Sequence, residues 1–223
     1  MREAYQDKLD QLANQLADMS ALVATAMERA TKALLTADLS LAEQVISGDA
    51  EVDDARATVE EQAYALLALQ APVATDLRTV LAVIHAAESV ERMGDLALHV
   101  AKTARRRHPH PVLAEEVRGY FADMGRIAVH LAREVEGVIR TQDVKRARAL
   151  EETDDELDDL HRHLFSVIMD KAWPHGVASA VDVTLLGRFY ERFGDHAVSV
   201  AKRTIFVVTG QMPGYGGSLG GEL

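Results

Sequence analysis

The chain has 223 residues, 48% of them hydrophobic and 5% aromatic, with a formal charge of −11 and no cysteine. That length suits one large domain or two of about 100 residues each. The missing cysteines exclude disulfides, thiolate metal sites and cysteine nucleophiles, and the acidic balance makes nucleic acid a poor partner.

The N-terminus, Met1 to Asp7, enters an amphipathic pattern directly, without a signal-peptide apolar core. No stretch is long and apolar enough to predict a membrane span, so a soluble cytoplasmic protein is the simplest expectation. Leu9, Leu12, Leu16, Met19, Val23, Ala26 and Ala30 then fall at steps of three and four, which predicts one face of a long first helix. A break at Thr36-Ala37-Asp38 follows, with Asp38 placed to cap a second helix over Leu39 to Leu69 that Pro72 ends. Val45, Val52, Val59 and Leu66 form its seam.

A third helix is predicted over Val73 to Arg107, stopped by His108-Pro109-His110-Pro111. Its basic end, Lys102, Arg105, Arg106 and Arg107, suits the negative end of a helix dipole better than a nucleic-acid site. A fourth helix runs from Leu113 to Arg140, a fifth from Val144 to Lys171 and a sixth from Val177 to Val208, with Trp173-Pro174-His175-Gly176 between the last two. From Gly210 to Leu223 the chain is Gly/Pro-rich, and a disordered tail is expected.

A repeat organises these helices. Shifting the chain by 105 lays Ala17-Asp18-Met19 on Ala122-Asp123-Met124, and Val45, Val52 and Val59 on Leu150, Leu157 and Leu164. Beyond the second break the shift becomes 100, and Glu91-Arg92-Met93-Gly94-Asp95 matches Glu191-Arg192-Phe193-Gly194-Asp195. The expected fold is therefore all-α, six long helices as a tandem repeat of two three-helix bundles, spanning 1–108 and 109–209 with a tail at 210–223.

Acidic residues break the apolar stripe of the third helix: Leu77, Leu81 and Ile84 are followed at the same spacing by Glu88, Glu91 and Asp95. The sixth helix repeats this with Val177, Val181, Thr184, Arg188, Glu191 and Asp195. Residues four apart stack on one face, so Glu91/Asp95 and Glu191/Asp195 are two-carboxylate steps. Asp49/Asp53 and their copies Asp154/Asp158 are matching steps on the second and fifth helices. Paired steps would gather four carboxylates, which repel unless protons, basic side chains or a hard cation neutralise them.

The plainer reading makes these acids half-exposed partners of Arg92 and Arg192. Gly94 and Gly194 serve close helix packing as well as any function, and His85, His99, His161 and His196 are ordinary polar residues before they are ligands. Two Glu-x-x-His pairs, a Gly-rich phosphate loop and a nucleophile motif are all missing, so an enzyme is not indicated.

The repeat, the run Leu69-Gln70-Ala71-Pro72-Val73-Ala74-Thr75-Asp76-Leu77-Arg78 and the paired Glu-Arg-x-Gly-Asp motifs resemble the PhoU family over Met1 to Val208. The resemblance implies a cytoplasmic negative regulator of phosphate-starvation signalling, acting as an adaptor between the high-affinity phosphate ABC transporter and a sensor histidine kinase. It also implies a homodimer, reaching the membrane only through these partners. Some family members hold iron or other metals at such steps. Carried over, the metal ligands (for iron, Mn, Mg or Zn) would be Asp49, Asp53, Glu91 and Asp95, then Asp154, Asp158, Glu191 and Asp195. Arg188 stands where the first repeat has Glu88, and a cation there would weaken or replace a metal. The competing reading is a metal-binding or metal-storage bundle in which the clusters themselves do the work.

Overall fold

The computed structural model describes residues 2–171 and 173–211. Among them are six helices and no strand: α1 (Arg2–Thr36), α2 (Leu39–Gln70), α3 (Ala74–Arg107), α4 (Glu115–Thr141), α5 (Val144–Ile168) and α6 (Gly176–Thr209). The Gly/Pro-rich tail expected from residue 210 lies, from 212 onward, outside the described residues.

Local chemistry sets the boundaries. Asp38 caps α2, its carboxylate accepting from the Leu41 N–H at 3.0 Å. Its repeat mate Asp143 caps α5, accepting from the N–H groups of Lys145 and Arg146 at 2.8 and 3.1 Å. Ala71, at φ 44°, turns the chain out of α2 just before Pro72. Helix α4 starts two residues later than its spacing predicts, because Val112 and Leu113 turn into the core at the entry to the second repeat. Helix α5 stops at Ile168 rather than Lys171; there the Met169 N–H donates back to Phe165 and the Trp173 N–H to the Asp170 carbonyl.

The first face of α1 is buried as the spacing predicts, Leu12, Met19, Val23 and Ala30 completely, while Ala26 is half-buried. The seams Val45/Val52/Val59 and Leu150/Leu157/Leu164 are buried too. Helix α1 packs on α2, α3 and α4; α6 packs on α3, α4 and α5; α2 and α5 do not meet. The result is a layer ordered α2–α3–α6–α5 backed by α1 and α4, and all six helices contribute to one continuous core.

A quasi-twofold axis relates the repeats. On α1 and α4, Glu28 pairs with Arg133, its own repeat equivalent, at 2.9 Å, as residues on such an axis must. On α3 and α6 the chains run antiparallel: His99 stacks on Phe189 at 5.2 Å between ring centroids, and Arg106 reaches Asp182. The buried hydroxyls of Thr31 on α1 and Tyr190 on α6 lie 2.8 Å apart and tie the layers together. Because the axis passes between the α1/α4 and α3/α6 pairs, the exposed edges of α3 and α6 open on the same side of the molecule.

Candidate functional site

The acidic steps predicted on neighbouring helices do come together. In the first repeat, Asp49 lies within electrostatic reach of Asp53 and Asp95, and Glu91 within reach of Asp95 and Asp53. In the second, Asp154 feels Asp158, Asp195 and Glu191. Antiparallel packing of α2 on α3, with Val52 against Gly94, and of α5 on α6, with Asp154 and Leu157 against Gly194, sets this register.

Electrostatics follow from that crowding. Burial first, then Asp53 and Asp95, push the Asp49 carboxyl above its usual range. Burial and Asp95 raise Glu91, with Arg92 acting in the opposite direction. The second cluster is more strained: burial, then Asp158 and Asp195, push Asp154 up to about 7. Asp158 and Glu191 are raised chiefly by burial and then by Asp195.

The two clusters are balanced by different cations. Arg92 donates to Asp95 at 3.1 Å and lies 3.7 Å from Glu91, as the plainer reading of the sequence expected. In the second repeat that task passes from Arg192 to Arg188, which pairs with Glu191. Sequence reasoning missed the compensating change on the other helix: Arg56 on α2, paired with Glu60 at 2.9 Å, is replaced by His161 on α5. The His161 ring, held down by burial and by Arg188, packs edge-on to Phe165 with its Nε2 buried and unpartnered. The cation has thus moved across the helix pair, a signal visible only once both repeats are aligned on the fold.

The two motif glycines also differ. A Cβ on Gly94 would sit 3.1 Å from Val52 Cγ1, a tight packing contact. On Gly194 it would collide with Asp154 Oδ1 and come within 2.9 Å of Leu157 Cδ2. Glycine therefore makes room for the carboxylate itself in the second cluster. Asp49, the equivalent of Asp154, instead lines a pocket of about 230 Å³ with Arg29, Gln44 and Gly94.

Asp154 Oδ1 and Glu191 Oε2 are buried without a hydrogen-bond partner. An all-oxygen donor set with orphaned buried oxygens has the chemistry of a hard-cation site. As the side chains stand, no group of three or more His, Asp or Glu among the described residues is arranged to hold a metal ion. Binding one would therefore need side-chain rotation in either cluster.

Two residues outside the motifs complete the layer. Asp182 on α6, buried, accepts from Arg106 at 2.8 Å and from Arg107 Nε at 2.9 Å. The basic end of α3 thus does more than oppose its helix dipole, since it ties the C-terminal end of α3 to the start of α6. At the other end of the same pair, Arg78 lies against Gly210, where α6 ends.

A tandem three-helix repeat with a carboxylate cluster on each outer helix pair defines a class of duplicated helical proteins, and comparison with known proteins places the chain within it. The PhoU domain matches twice, at residues 16–104 and 121–204, so the chain belongs to the PhoU family. It is 58% identical over 213 residues to "Phosphate-specific transport system accessory protein PhoU homolog 1" of Mycobacterium leprae, covering 96% of each chain. It is 57% identical to PhoU homolog 2 of Mycobacterium tuberculosis, covering 96% of this chain and all of that one. The crystal structure of PhoU from Pseudomonas aeruginosa shares the fold, with a TM-score of 0.82 at 24% identity, over 93% of this chain and 100% of that one. That of the phosphate transport system regulatory protein PhoU from Streptococcus pneumoniae does so with a TM-score of 0.84 at 22% identity, over 93% and 98%. No described helix is long and apolar enough to cross a membrane.

Proposed function

We propose that this chain is a cytoplasmic adaptor that represses phosphate-starvation signalling by linking the high-affinity phosphate ABC transporter to a sensor histidine kinase. The observation that carries this reading is the double PhoU match, together with relatives named as accessory proteins of the phosphate-specific transport system. The protein acts through contacts and not through catalysis, and it reaches the membrane only through its partners. Homodimerisation, and a division into units at 1–108 and 109–209, belong to the same proposal.

The carboxylate clusters serve this adaptor as cation-responsive elements. Iron, Mn, Mg or Zn would be held by Asp49, Asp53, Glu91 and Asp95 in one cluster, and by Asp154, Asp158, Glu191 and Asp195 in the other. A bound cation would supply charge neutralisation between helices that otherwise repel. The orphaned oxygens of Asp154 and Glu191 support the reading, and Arg188 makes the second cluster the less demanding of added charge.

Co-purification tests the partner assignment. Tagged protein from phosphate-replete cells should bring down the transporter ATPase or the kinase, and the complex should re-form from purified components. Recovery of neither, with no binding between purified components, would refute the adaptor.

A further inference from the structure

Among the described residues, exposed large apolar side chains are concentrated in two places. One is the α2–α3 hairpin tip, with Tyr64, Leu69, Val73, Leu77 and Leu81; the other is the α5–α6 tip, with Phe165, Met169, Val177, Val181 and Leu185. Among the described residues only Leu39 and Val208 are similarly exposed elsewhere. Val73 and Val177 are 74% and 81% exposed, beyond what the edge of a packed core requires. Exposed apolar side chains grouped at the tip of a helix pair, rather than scattered singly, are the signature of an interaction site.

Both patches are duplicated along with the fold. Leu77 and Leu81 are the repeat equivalents of Val177 and Val181, and Tyr64 is that of Met169. In the antiparallel hairpins, Val52 lies against Gly94 and His161 against Gly187. Counting outward from those contacts places Tyr64 opposite Leu81, and Phe165 opposite Leu185, so each tip is one surface made by two helices.

Neither surface stops at the tip. On the exposed edge of α3, steps of three and four lead from Leu77 and Leu81 through Glu88 to Glu91 and Asp95. On α6 they lead from Val177, Val181 and Leu185 through Arg188 to Glu191 and Asp195. Each stripe is apolar at its end and carries more carboxylates than cations toward its middle, where Asp53 and Asp158 join from the adjacent helix and Arg92 and Arg188 offset part of the charge.

That order selects the occupant. An anionic lipid surface would be repelled by a chain of net charge −11 whose apolar tips adjoin carboxylate clusters. A second copy would bring like-charged clusters together. With equivalent patches at opposite ends of a quasi-twofold molecule, such copies would also add end to end as an open fibre. A helix with apolar anchors at one end and Lys or Arg at the other matches both parts of the stripe. We infer that each hairpin docks an amphipathic helix of a protein partner, apolar side chains on the tip and basic side chains against the carboxylates. The inference rests on the adaptor reading, and it names the surface that reading would use.

Site-specific photocross-linking in cells tests it. A benzophenone amino acid is placed at Leu77 or at Val177 of the full chain, with Arg126 on the α4 side as control. The expected result is an adduct with another protein from both tips and none from the control. Its cross-linked peptide, read by mass spectrometry, should carry apolar residues followed within about two helical turns by Lys or Arg. Val73→Glu combined with Val177→Glu should then weaken binding of the purified partner by about tenfold or more, with the thermal melt unchanged because both sites are largely exposed. A dimer of this chain, a lipid adduct, an acidic or wholly polar peptide, equal labelling at Arg126, or no adduct overturns the inference. If the partner is neither kinase nor transporter component, the docking surface stands and the partner assignment falls. If the double variant still binds the kinase undiminished, the docking surface falls and the adaptor stands.

Discussion

The Arg106 guanidinium donates to Asp182 Oδ1 at 2.8 Å, across 76 positions of sequence, and Arg107 holds the other carboxylate oxygen. The acid is buried while both cations are half-exposed, and this asymmetry orders the consequences of mutation. Arg106→Ala plus Arg107→Ala strands a buried charge and should cost about 3–5 kcal/mol. Asp182→Ala leaves two arginines that water can serve, and should cost about 1–2 kcal/mol. Urea denaturation of the three proteins checks the order; an equal loss would show that the acid is not effectively buried.

Gly194→Ala and Gly94→Ala should differ despite their identical motifs. Both gain about 1 kcal/mol in helix propensity. At Gly94 the methyl presses on Val52 Cγ1 at 3.1 Å and makes an ordinary contact with Val23 at 3.6 Å, so the net change should lie within about 1 kcal/mol of zero. At Gly194 it must displace Asp154 and Leu157, and a net loss of about 1–3 kcal/mol is expected. Denaturation midpoints measure the difference directly.

Asp154 makes stability depend on pH. Its folded pKa of about 7 lies above the ordinary 3.8, so the native state binds the extra proton between those values. Stability therefore falls as pH rises from about 4 to about 7. Asp154→Asn removes this loss: the variant should match the parent at pH 4 and exceed it by about 1–2 kcal/mol at pH 8, allowing for solvent screening at a half-exposed site. Parallel melting curves across that range would expose a flat difference, which would contradict the assignment.

The proposed cation role of the clusters predicts an effect of Arg188→Glu. The change restores at α6 the acid that α3 carries as Glu88 and frees Glu191 from its internal cation. Metal content per chain, or the rise in Tm on adding Mn²⁺, should increase relative to the parent. An unchanged value would mean that Arg188 does not govern the second cluster.

Much of this was legible in the sequence. Periodicity located the helices, Asp38 marked a cap, and the repeat indicated which carboxylates would lie within electrostatic reach of one another. What stayed hidden depends on the packing of one repeat against the other. Asp182 has Ala82 as its repeat equivalent, so no motif announces it, and its partners are known only once α3 and α6 are seen antiparallel. The Thr31–Tyr190 bond, 159 positions apart, is equally invisible to local pattern. Arg192 looked like the balancing cation because the motif is copied, but Arg188, one turn earlier on α6, is the residue that reaches Glu191.

The proposed repression of phosphate-starvation genes by this chain is tested most directly in cells. A reporter for one of those genes should be off in high phosphate in the parent strain, on in a strain lacking this chain, and off again when the chain is restored. A deletion strain that keeps the reporter off in high phosphate would contradict it.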